Sequence, residues 1–225
     1  MIIDVIVPAH DSERTIGALV TAIPRPLVRN VYVVDNASRD ATARFARQAG
    51  AVVVSETRSG YGSACLAGMA VLPDDTDVVV FLVADECDPA DVPHLVRPIV
   101  DGNADLVVAT RAQQPSALRS QERLGNAIAS RWLKKRFGLV VTDLGPLRAI
   151  RRSSLALLHM TDTQRGWNLE MQIKASQHGL RYAETPATPT TRDGGARSIV
   201  RGALGDNTKL VGLLAWYDIG PGGRR

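Results

Sequence analysis

Asp77–Pro89 reads DVVVFLVADECDP: an unbroken apolar run, Val78–Ala84, that ends in Asp85, Glu86, Cys87 and Asp88. A strand with one wet face alternates apolar and polar residues. A strand that is apolar throughout is buried on both faces, as in a parallel sheet covered by helices on each side. The same signature recurs at Ile2–Val7, which Pro8 ends, at Val31–Asp35, at Ala51–Glu56 and at Ala104–Arg111. Between these runs the spacing predicts helices over Thr15–Ile23, behind Asp11 and Ser12 as N-caps, over Asp40–Ala49, closed by Gly50, and over Gly62–Leu72. A further helix over Ala90–Val100 is expected to be interrupted at Pro93 and Pro98. The alternation predicts an α/β fold with a mostly parallel sheet.

After Arg111 the rhythm changes. A long helix is expected over Gln121–Phe137, a strand within LGPLRAIRR (144–152), an amphipathic helix over WNLEMQIKASQHG (167–179) and a last strand in LRYAETP (180–186). Residues 188–199 read as a polar loop, and Val200–Tyr217 as a helix. No repeat is present, and no stretch rich enough in Pro, Gly or Ser separates domains. One domain over 1–225 is expected, with a first half at 1–111 and a second at 112–225.

The hydrophobic fraction of 45% is ample for a core, which must be built from aliphatic residues because aromatics make up 4%. A net charge of +4 and a pI near 9.4 suit an anionic ligand, but so small an excess is no nucleic-acid footprint. Cys65 and Cys87 give no disulfide framework, which favours reduced thiols and a cytoplasmic setting. The N-terminus lacks a basic leader and no long uncharged apolar window exists, so neither a signal peptide nor a membrane span is expected.

In such a sheet ligands bind at the carboxyl ends of the strands. Those ends carry Pro8-Ala9-His10-Asp11, Asp35-Asn36 and Asp85-Glu86-Cys87-Asp88. No G-x-G-x-x-G follows the first strand, so a dinucleotide fold is not indicated. GYGSAC (60–65) follows the third strand; on its own it reads as a glycine-rich loop before a phosphate cradle. His10 reads as a loop histidine before a catalytic one, and Cys87 as a passive thiol. Asp35 reads equally as a turn cap.

In order, the segments IVPAHDSERTIG, VYVVDNASRDATARFARQAGA, GYGSACLAG, VVVFLVADECDPAD, ADLVVATR, DLGPLRAIRR and RGWNLEMQIKASQHGLR together resemble family 2 glycosyltransferases of the GT-A fold. The nearest branch in pattern is that of the dolichyl-phosphate and polyprenyl-phosphate hexose synthases. The resemblance implies a nucleotide-sugar donor, with Asp35 on the base and Pro8, Ala9 and Asp11 beside base and ribose. Arg58, Gly60, Tyr61, Gly62 and Ala84 would lie near the nucleotide. It also implies Mg²⁺ or Mn²⁺ on an Asp-x-Asp, an oxygen donor set suited to hard cations. Here Val83 stands at the first Asp position and Asp85 at the second, with Asp88 or Glu86 as a helper. An altered metal site, metal-independent catalysis and a lost activity all remain open, the first preferred.

In the second half the resemblance places Asp143 and Arg148 near sugar and acceptor phosphate, with Arg111 and Trp167. Glu170 is a donor or acceptor contact, or a general base if the acceptor is a hydroxyl. Arg192 and Arg197 sit in a basic loop that steadies phosphate. The expected reaction is inverting transfer of a hexose from a UDP- or GDP-sugar to a polyprenyl phosphate, with peripheral membrane contact. A soluble sugar or secondary-metabolite acceptor, and a non-catalytic nucleotide-sugar binder with a degenerate metal site, are the alternatives. A homodimer contact through the apolar tail is a further expectation, and nucleic acid is not an expected partner.

Overall fold

The computed structural model describes residues 1–84, 87–111, 120–164 and 166–188; from 120 to 126 the backbone is described and, of the side chains, Leu124. The apolar runs become strands of one sheet: β1 (Ile3–Ala9), β2 (Asn30–Asn36), β3 (Val52–Glu56), β4 (Val78–Phe81), β5 (Leu106–Thr110), β6 (Arg148–Arg151) and β7 (Tyr182–Pro186). Their order is β3-β2-β1-β4-β6-β5-β7. Neighbouring strands pair in parallel, except that β6 runs antiparallel to both β4 and β5. The central strands β1, β4 and β5 are buried at every residue, as their unbroken apolar character requires.

The helices are α1 (Ile16–Ala22), α2 (Thr42–Gln48), α3 (Tyr61–Ala70), α4 (Val92–Val100), α5 (Ser120–Phe137), α6 (Arg152–Leu157) and α7 (Trp167–Gln177). Most of the buried side chains form one core around the sheet. A smaller cluster joins Ala129 and Leu133 of α5 to Leu169 and Ile173 of α7 and to Val141 and Leu144 between them.

Several details depart from expectation. The fourth strand stops at Phe81, after which Leu82 N donates to Ile6 O at 3.0 Å and the chain leaves the ladder. α4 is not broken at Pro93, because a proline in the first turn removes an N–H that has no partner inside the helix. A short 3-10 turn, Pro89–Asp91, precedes it. Asp11 and Ser12 do not cap α1 with their side chains; the Ser12 carbonyl accepts from Thr15 N at 3.1 Å and Ile16 N at 2.9 Å. α6 has no strong periodic signal and is not among the expected helices. The helix expected over Val200–Tyr217 lies outside the described residues.

Candidate functional site

Parallel pairing puts the carboxyl ends of β1, β2 and β3 in one row, with Ala9 opposite Asp35 and Asn36 opposite Glu56. Pro8 and Ala9 are buried, and the chain then surfaces through half-buried His10 to exposed Asp11. Asp11 takes a positive φ of 48°. It knits the first two strand ends together: its N–H donates to Ser38 Oγ at 3.1 Å, and its Oδ1 accepts from Arg39 N at 2.8 Å. His10 Nδ1 lies 2.7 Å from the Asn36 carbonyl, so that nitrogen carries the proton, and Nε2 faces Asp11 Oδ2 at 3.5 Å. Asp35 is half-buried, and its Oδ1 accepts from Ser38 N at 3.2 Å. The turn-cap geometry is therefore present at the residue expected on the base.

Asn36 is the organising residue that the sequence reading passes over. It is 2% exposed, its Nδ2 donates to Arg58 O at 2.7 Å and Glu56 O at 3.3 Å, and its Oδ1 accepts from Gly60 N at 2.9 Å. An Asn directly after the strand-end Asp was its only signal. Arg58 itself stays exposed and pairs with Glu56 through Nη2 at 3.1 Å, which holds the Glu56 carboxyl below its usual range.

The glycine turn has a different setting from an open phosphate cradle. The amides of Gly62 and Ser63, at the start of α3, donate to Gln164 O and Thr163 O, each at 2.9 Å. A Cβ on Gly60 would stand 2.2 Å from Thr163 O, and one on Gly62 1.9 Å from Asp162 O, so glycine is required by close backbone approach. Tyr61 is fully buried, and burial pushes its hydroxyl, like the Cys65 thiol, well above the ordinary range.

The loop after β4 enters through buried Val83 and Ala84. Val83, at 2% exposure, contributes no ligand to anything outside the core. Asp85, with Glu86, lies outside the described residues. Asp88 is half-buried and its Oδ1 caps Ala90 N at 2.9 Å. Asp91 accepts from Thr188 N at 2.8 Å and Thr188 Oγ1 at 2.5 Å, which brings the chain after β7 beside this loop. Arg192 and Arg197 lie further along, outside the described residues. Among the described residues no three His, Cys, Asp or Glu side chains come together as a metal site. One or two carboxylates with a substrate diphosphate and water is nonetheless the usual donor set for Mg²⁺, and Asp88 with Asp85 fits it in chemistry.

The second-half residues divide. Arg111 and Asp143 form a buried bidentate pair, Nε to Oδ2 at 2.8 Å and Nη2 to Oδ1 at 3.0 Å, at the carboxyl end of β5. Arg148, Trp167 and Glu170 are buried. Arg148 lies opposite Phe81 in the sheet and donates to Asn168 O at 3.1 Å and to the carbonyl of Gly145. Burial lowers its guanidinium below the usual range, yet no carboxylate hydrogen-bonds it among the described residues. Trp167 is fully buried edge-to-face on Phe81, ring centroids 6.0 Å apart. Glu170, 1% exposed, accepts from Thr161 N, Thr161 Oγ1 and Asp162 N at 2.9–3.0 Å and pairs with Lys174 at 2.7 Å. Packing of β6 and α7 against the rest of the molecule, which residue spacing does not reveal, turned these three inward. No helix among the described residues is long and apolar enough to cross a membrane.

Comparison with known proteins fits this arrangement. The family model described as Glycosyl transferase family 2 matches residues 4–158. An uncharacterized glycosyltransferase of Mycobacterium tuberculosis is 37% identical over 221 residues, 96% of this chain and 97% of its own. A dolichyl-phosphate hexose transferase of Haloferax volcanii is 28% identical over 84% of this chain and 83% of its own. Among solved structures, glucosyl-3-phosphoglycerate synthase from Mycobacterium tuberculosis, in complex with Mn²⁺, UDP-glucose and phosphoglyceric acid, superposes with a TM-score of 0.73 at 25% identity. That match covers 95% of this chain and 78% of the synthase.

Proposed function

The chain belongs to glycosyl transferase family 2, and from that premise we propose that it moves a hexose from a UDP- or GDP-sugar to a polyprenyl phosphate, with inversion. The observation that carries the acceptor choice is the state of the two second-half acids. Asp143 is locked on Arg111 and Glu170 on Thr161, Asp162 and Lys174, so among the described residues neither serves as a base. A hydroxyl acceptor needs a base in the transition state. A phosphate acceptor is already an anion and needs none.

In this reading Asp35, Asp11, Pro8 and Ala9 hold base and ribose, and Arg58 meets the nucleotide. Asp85 and Asp88 would hold Mg²⁺ or Mn²⁺, which when bound would offset charge on the departing diphosphate. Arg111, Arg192 and Arg197 steady phosphate oxygens, and the buried Arg148 adds positive charge where β4 ends. An acceptor phosphate oxygen attacks the anomeric carbon from the face opposite the diphosphate. The new C–O bond forms as the old one breaks, and the nucleoside diphosphate leaves with the bonding pair. Such an acceptor implies contact with a membrane surface. A soluble acceptor is the second reading, favoured by the likeness to glucosyl-3-phosphoglycerate synthase.

The test is calorimetric titration with UDP-, GDP- and dTDP-sugars, with Mn²⁺ and then with a chelator. Product assay with a polyprenyl phosphate and with 3-phosphoglycerate follows. The proposal expects one donor to bind tightly, chelator to weaken it, and glycosyl polyprenyl phosphate to form. Transfer to 3-phosphoglycerate alone overturns the acceptor assignment, and no binding of any donor by folded protein overturns the whole reading.

A further inference from the structure

We propose that Glu170 is a positioning residue which, through the strap Thr161–Gln164, sets the place of the glycine turn and of Asp35 at the nucleotide end. The contacts form one chain across the two halves of the molecule. The Glu170 carboxylate, on α7, binds the Thr161 amide and hydroxyl and the Asp162 amide. Lys174, one turn on, holds the same carboxylate and also the His159 carbonyl. The strap so fixed offers the carbonyls of Thr163 and Gln164 to Ser63 and Gly62, and Gln164 Nε2 reaches Ser59 O at 3.1 Å. The glycine turn in turn is held by Asn36, the residue after Asp35. Gly60 and Gly62 leave no slack, since a single methyl group on either would collide with the strap backbone.

This arrangement explains why an acid sits buried in the first turn of α7 with its hydrogen bonds spent on the strap's amides, the Thr161 hydroxyl and Lys174. A carboxylate accepting amide N–H groups forms strong, directional bonds and fixes a loop more tightly than an uncharged group does. The donor half of the inference rests on the proposed function; the strap half does not, and the experiment separates them.

Amide hydrogen exchange is measured in the wild type, in Glu170→Gln and in Thr161→Val, alongside donor affinity and the kcat–KM split. The expected result is selectively faster exchange at Gly62 and Ser63, with the amides of Val5 and Val80 in the central strands unchanged. Donor affinity is expected to fall roughly tenfold in Glu170→Gln, the scale of a lost hydrogen bond to a charged group, and less in Thr161→Val. If Glu170→Gln does not fold, Thr161→Val alone carries the test. Unchanged exchange at Gly62 and Ser63, or equal acceleration throughout the core, overturns the proposal. So does unchanged donor affinity with a lower kcat and a lost limb of the pH profile, which would make Glu170 a base. A wild type that binds no donor overturns the function instead, and the exchange result then judges the strap by itself.

Discussion

Single side chains make the sharpest demands on this site. Asp35 has one oxygen committed to the Ser38 amide and stands half-buried at the carboxyl end of β2. Asp35→Ala is expected to weaken donor binding by roughly tenfold to a hundredfold, read by calorimetry. Val83 is the reverse case. Because it is 2% exposed, Val83→Asp buries a carboxylate and is expected to cost on the order of 3 kcal/mol of stability, with no gain in turnover. Recovered turnover in that variant would show that the site can accept a second metal ligand there. Asp143→Asn removes the charge that pairs with the Arg111 guanidinium and is expected to cost about 3–5 kcal/mol in denaturant unfolding, the penalty for breaking a buried pair. That Asp35 and Asp11 lie where strands end was legible in the sequence, because strand ends announce themselves by the switch from apolar to polar. The inward turn of Arg148, Trp167 and Glu170 was not, since it depends on how other elements pack against them: Phe81 of β4 on Trp167, the Asn168 carbonyl on Arg148, and the segment before α7 on Glu170.

At the scale of elements, the strands followed from composition and the helix ends did not. The strands at Val78–Phe81 and Leu106–Thr110 were legible, though the first was expected to run on to Val83, because residues apolar on both faces admit few other placements. The reversed direction of β6 was invisible, as direction is set by the loop at 142–147 and not by the strand's own residues. The strap and α3 give an element-level prediction. Gly62→Ala forces the strap away and is expected to cost about 2 kcal/mol, seen as a lowered Tm, because overpacking strains the backbone on both sides. The starts of β5 and β7 are clamped by Asp105, whose carboxyl is held at about 2 by Arg181 first, with Arg151 adding. A depressed carboxylate contributes stability above its unfolded value of 3.8 and loses it as pH falls toward about 2. Acid unfolding is therefore expected to steepen between those values in the wild type and to flatten in Asp105→Asn, followed by circular dichroism.

For the whole molecule, the fold class was legible from the alternation alone, whereas the joining of the halves was not. β4 and β5 are consecutive in sequence yet never touch; β6 is inserted between them, arriving some forty residues later. That insertion has a consequence for how the chain is made. On emerging from the ribosome, β1 to β4 can pair at once, while β5 has no partner until Arg148–Arg151 appears. Until then the free edge of β4, Val78-Val79-Val80-Phe81, is a bare β-template, rich in the residue types that recruit a second chain. A nascent or truncated chain ending before Arg148 should accordingly be captured by chaperones or precipitate, even though all of β1 to β4 has already been synthesised.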